Sequence, residues 1–139
     1  MRRKIIIALH WAVVLLVLAM TEGGSGAPAL RWAFTGLAGL WIGVMLAGGP
    51  LGKPGPKLTG LPRAIFRPLH LGLYALLGVT ATLTAAELLG LTAPGPAWTA
   101  LLILLVTGLF HGIFHLWRHT ALFDGALRIM SPRVLHKYL

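Results

Sequence analysis

The sequence predicts an all-α fold, a four-helix transmembrane bundle with a short interfacial helix at its C-terminal end, on three observations. Apolar residues make up 57% of the 139 positions and charged residues only 11%, where a soluble domain carries roughly a quarter charged residues. The apolar residues fall into four runs separated by Gly, Pro and charge, the strongest punctuation of a helical pattern. A hydrocarbon core about 30 Å thick needs roughly 20 apolar residues per helical span, so four spans use up the chain as one integral membrane domain, residues 1–139.

The first span is expected over residues 5–20. Arg2-Arg3-Lys4 before Ile5-Ile6-Ile7 has the look of a signal-peptide opening, but Met20-Thr21-Glu22 lacks a small-residue cleavage site, and a retained helix is expected. Thr21 to Ala27, with Gly23-Gly24-Ser25-Gly26, is a short turn into a second span over 29–48. The connector from Pro50 to Arg67 carries Pro50, Pro54, Pro56 and Pro62, which oppose a continuous helix and predict an extended segment along the membrane surface. A third span over 68–89 and a fourth over 97–117 are joined by the turn Thr92-Ala93-Pro94-Gly95-Pro96. From Ala121 to Met130, apolar Leu122, Phe123, Leu127 and Ile129 set against Asp124 and Arg128 predict the interfacial helix, ended by Pro132.

Charge orients this bundle. Twelve Lys and Arg stand against three Asp and Glu, a net charge of +9. With four spans, the basic residues before the first span, in the middle connector and after the fourth share one side, and Arg31 alone lies opposite. The positive-inside rule makes the rich side cytoplasmic and places both termini there. The charge is thereby a matter of topology, and nucleic acid is not an expected partner.

No cysteine is present, which removes disulfides, thiolate metal sites and iron–sulfur clusters. The two serines, Ser25 and Ser131, sit in connectors and offer no arrangement for hydrolysis. Thr80, Thr82, Thr84 and Glu87 make a thin polar track on the third span, where threonines are expected to bond their own helix backbone rather than line a transport path. Six histidines remain, and an ionisable group inside a span marks a functional site. His10 lies five residues into the first span and His111 six residues from the end of the fourth, about 8 and 9 Å deep at 1.5 Å per residue. Two imidazoles at one depth on different helices suit the two axial positions of a b-type haem, so His10 and His111 are the candidate ligands of a haem iron. Gly72, Gly78, Gly108 and Gly112 give room either to a macrocycle or to close helix packing. His111, His115 and His119 form one stripe at four-residue spacing, which suits a zinc or copper ion. Asp124 is the one carboxylate on that side, however, and His119 falls beside Arg118 in the headgroup zone, so interfacial hydrogen bonding is the expected role of His115 and His119.

Ile7-Ala8-Leu9-His10-Trp11 opening the first span, His70-Leu71-Gly72-Leu73-Tyr74 opening the third, Gly108-Leu109-Phe110-His111 late in the fourth, and the tail Asp124-Gly125-Ala126-Leu127-Arg128-Ile129-Met130-Ser131-Pro132 together resemble the bacterial cytochrome b561 family. The resemblance covers nearly the whole chain. It implies a multi-pass protein of the bacterial inner (cytoplasmic) membrane, with two haems b passing electrons between quinone and another carrier, and it maps His10 and His111 onto the cytoplasmic-side ligands. The pattern departs at the outer face. There the family has one histidine early in the second span and another about four turns before the late histidine of the fourth. Here the second span opens Arg31-Trp32-Ala33-Phe34-Thr35-Gly36, and the fourth opens at Ala97-Trp98. Trp32, Phe34 and Trp98 either fill the vacated volume or belong to an interfacial aromatic belt.

The resulting expectation is at most one haem b near the cytoplasmic face, serving quinone-linked one-electron transfer, with His70 or His115 contacting a haem propionate or a quinone. An electron-transfer or accessory role is expected rather than a stand-alone enzyme. The alternative is a haem-free structural or assembly subunit of a larger respiratory or photosynthetic membrane complex. It would meet a membrane-protein partner or a second copy in a homodimer through the small-residue face Gly36 to Gly43, where Gly39 and Gly43 have GxxxG spacing.

Overall fold

The computed structural model describes residues 1–138, so Leu139, the last position of the expected domain, lies outside the described residues. Its regular elements are helical: α1 (Arg2–Thr21), α2 (Pro28–Gly48), α3 (Gly60–Leu88), α4 (Pro96–Ala121) and the short α5 (Ala126–Met130), with single 3₁₀ turns at Gly24–Gly26 and Arg133–Leu135. The first four contain 20, 21, 29 and 26 residues and are long and apolar enough to cross a membrane. Each packs on the next in sequence, and α1 closes the bundle against α4 across its loosest seam. The turns between them rely on local chemistry. Gly95 caps α4 at φ +128°, a conformation closed to most side chains, and Pro96 follows at the first helical position. At Gly24 a Cβ would lie 2.6 Å from the Ala19 carbonyl oxygen, so the α1–α2 turn requires glycine.

Several boundaries differ from the sequence expectation, among them the end of α4, at Ala121 rather than 117. The connector is not extended as far as Arg67, because α3 already begins at Gly60. Pro62 is its third residue, where a missing N–H costs nothing because the first four helical N–H groups have no partner within the helix. Pro68 sits inside the helix and removes only one backbone donor. The interfacial helix is likewise shorter than 121–130. Leu122 to Gly125 form a turn in which Phe123 has φ 50° and Gly125 φ 69°, and the Asp124 carboxylate accepts the Ala126 N–H at 2.9 Å, starting α5 only there.

The bundle has two unlike halves. The half distant from the termini is filled by Met20, Phe34, Ala38, Ala81 and Leu101, which share one buried apolar core with Val13, Val17, Leu77 and Leu104 nearer the middle of the bundle. Phe34 is 0% exposed, whereas Trp32 and Trp98 are 47% and 39% exposed. Phe34 is therefore packed inside the bundle, and the two tryptophans lie on the outside. Thr80 and Thr84, both buried, donate to the carbonyls of Leu76 and Thr80 at 2.8 and 2.7 Å, so their hydroxyls are used up within α3. At this end Arg31 pairs with Glu87 at 2.7 Å, and the other oxygen of Glu87 accepts the N–H groups of Gly95 and Ala97 at 3.0 and 2.8 Å.

The opposite end gathers both terminal segments and the 49–59 connector. The Arg2 guanidinium donates to the Gly49 carbonyl, Arg3 donates to the Arg128 carbonyl at 2.8 Å, Trp11 Nε1 to that of Met130 at 2.9 Å, and Lys57 to that of Phe123 at 3.1 Å. Arg118, which the sequence assigns to the charged boundary, is 1% exposed and held by Asp124 at 2.6 Å, with its guanidinium 5.0 Å from the centre of the Phe66 ring.

Candidate functional site

The half of the bundle near the termini encloses a cavity of about 240 Å³ along the α1–α4 seam. Its walls are mainly apolar: Val13, Val14 and Val17 of α1, Leu73 and Leu77 of α3, and Leu104, Leu105 and Gly108 of α4. Leu51, Gly52, Ile129 and Met130 contribute from the connector and α5, and exposed Leu18 and Leu109 stand at its rim. The cavity thus opens toward the outer surface of the helices at these two residues. Gly108 lines it and a Cβ there would meet nothing within 4 Å. Among the described residues Gly72, Gly78 and Gly112 are not part of its lining, so the room expected from four glycines comes from one.

His10, His70, His111 and His115 all line this cavity, together with Trp41 and Tyr74. His10 stands against Trp41, with ring centroids 5.4 Å apart and planes at 82°, and Trp41 stands against Tyr74 at 5.5 Å. These edge-to-face contacts hold the His10 ring at the cavity wall. The Nδ1 atoms of His10 and His111 are buried and have no hydrogen-bond partner among the described residues. Trp41 Nε1 is likewise buried without a partner among the described residues.

His111 also belongs to a group of three histidines. His70, His111 and His115 each offer a nitrogen within 4.8 Å of the others, with centroids 4.8 Å apart for His70 and His111 and 4.5 Å for His111 and His115. The Nε2 atoms of His70 and His115 are 3.3 Å apart, and His70 Nδ1 meets the Phe66 carbonyl at 2.6 Å. The sequence offers His115 an interfacial hydrogen-bonding role and, for His70 or His115, contact with a haem propionate or a quinone; both line the cavity, and the histidine stripe of α4 gains His70 as its companion. His119 lies outside the three-histidine group, and His136 meets the Ser131 carbonyl at 3.2 Å.

No family model, curated protein or solved structure matches this chain.

Proposed function

We propose that the chain is a one-haem membrane cytochrome, in which His10 and His111 hold a single haem b for one-electron transfer with a quinone. The observation that carries this reading is the pair of histidines, one on α1 and one on α4, that line one apolar cavity. Bis-histidine ligation needs one nitrogen from each side of the porphyrin, and the α1–α4 seam supplies one histidine from each of its helices. One-electron exchange at iron is the chemistry such a group supplies when bound. The chain's own residues would do the rest. Trp41 orients His10, Gly108 leaves room beside His111, the valines and leucines exclude water, and the rim at Leu18 and Leu109 admits an apolar carrier from lipid. His70 and His115 are then available to donate to a haem propionate or a quinone carbonyl. The resemblance to cytochrome b561 proteins supports the same reading and a place in the bacterial inner membrane. The segregation of basic residues supports cytoplasmic termini. A pyridine haemochrome assay of the purified chain tests this: one haem b per chain is expected, and a haem-free protein overturns it.

A second reading, the haem-free subunit of a larger complex, is favoured by α2. Gly36, Gly39 and Gly43 are exposed, and a Cβ at any of them would meet nothing within 4 Å. Small residues with open space outside them suit close approach of another helix. Purification in mild detergent with a stoichiometric membrane-protein partner and no haem would favour it over the cytochrome.

A further inference from the structure

We propose that His70, His111 and His115 form a binding site for a transition-metal ion of the zinc type, which shares His111 with the His10–His111 pair. The Phe66 carbonyl can only accept, so the 2.6 Å contact from His70 requires the hydrogen on Nδ1. A neutral His70 then presents its Nε2 lone pair to the cavity. This is how metal-ligating histidines are normally held, with the far nitrogen donating to a backbone carbonyl or carboxylate. Opposite stands His115 Nε2 at 3.3 Å. Two nitrogens at about 2.0–2.1 Å from a tetrahedral Zn²⁺ are about 3.3–3.4 Å apart, so these two already have the separation of a shared ligand edge. The third nitrogen, from His111, lies within 4.8 Å of both and needs to close by no more than about 1.5 Å. Three imidazoles and no thiolate suit zinc, copper, nickel or iron rather than magnesium or calcium. The fourth position falls to water or an anion, because Asp124, the carboxylate at this end, is already joined to Arg118.

His111 belongs to both ligand sets, so an ion and a bis-histidine haem exclude each other on one chain. The two proposals fail separately: His10→Ala removes a haem ligand and leaves all three ion ligands, whereas His70→Ala does the reverse. The test is Co²⁺ titration of the chelator-stripped chain in detergent, followed by absorption, on the unmodified protein and on His10→Ala. A tetrahedral cobalt spectrum displaced by Zn²⁺ is expected in His10→Ala at one ion per chain. His70→Ala and His115→Ala should weaken binding by more than about 100-fold, beyond the 10–100-fold typical of losing an outer partner, while His119→Ala leaves it unchanged. His115→Cys guards against a folding artefact, since thiolate ligation adds a sulfur-to-cobalt charge-transfer band that a misfolded chain does not produce. Octahedral cobalt, or binding indifferent to His70→Ala and His115→Ala, overturns the site.

Discussion

The guanidinium of Arg118 and the carboxylate of Asp124 lie 2.6 Å apart and are 1% and 3% exposed, so a buried ion pair closes the end of the bundle that holds the histidines. Asp124 also accepts the Ala126 N–H, and Arg118 lies over Phe66, whose carbonyl orients His70. The tail, α4 and the start of α3 thereby meet at one point. A buried pair adds little over an apolar pair of the same shape, but removing one partner strands a charge. Asp124→Asn should therefore destabilise the protein by about 3–5 kcal/mol in detergent unfolding, and Arg118→Met placed with Asp124→Asn should recover most of that loss.

At the other end, Glu87 links α2, α3 and the start of α4 through Arg31, Gly95 and Ala97. Glu87→Gln keeps an acceptor for the two N–H groups but loses the charge facing Arg31. A cost of about 1.5–3 kcal/mol is expected, the range of hydrogen bonds to charged groups, with Glu87→Ala costing more. Thermal unfolding of the two variants side by side checks this order.

The four helices were legible in the sequence because each is a long apolar run between Gly, Pro and charge. That His10 and His111 line one cavity agrees with their like distances from the ends of the spans read in the sequence. The place of His70 was not legible. Taking Pro62 and Pro68 as helix breakers put the start of the span at 68 and His70 two residues from it. With α3 beginning at Gly60, His70 lies ten residues along, about 15 Å from the helix start, level with the histidines of α4. Likewise α4 runs on to Ala121, which draws His115 deeper than a span ending at Trp117 allows. The Arg118–Asp124 pair was hidden for another reason. It closes across a turn in which Phe123 has positive φ, and no helical spacing announces such a contact.

The buried Phe34 and the exposed Trp98 make a paired prediction. Phe34→Ala removes a ring from the closed core and should cost about 3–5 kcal/mol. Trp98→Ala, on the outer surface of α4, should cost under about 1 kcal/mol. Unfolding in one detergent gives both numbers, and equal costs would contradict the division of the bundle into a filled half and a cavity-bearing half.

Gly39 on α2 has open space where a side chain would stand. Gly39→Leu should leave the stability of the single chain within about 0.5 kcal/mol, yet abolish any association that uses the Gly36 to Gly43 face. Analytical ultracentrifugation in mild detergent before and after the substitution reads this directly; an assembly that survives Gly39→Leu uses another surface.

The central claim is that one pair of histidines across the α1–α4 seam defines the cofactor site. Haem titration into the purified chain, followed by absorption, tests it most directly when His10→Ala, His111→Ala and His70→Ala are run beside the unmodified protein. Saturation at one haem per chain with a six-coordinate b-type spectrum is predicted, lost in His10→Ala and His111→Ala, kept in His70→Ala and restored in His10→Ala by free imidazole. Saturation at two haems, or a spectrum indifferent to His10→Ala, would contradict it.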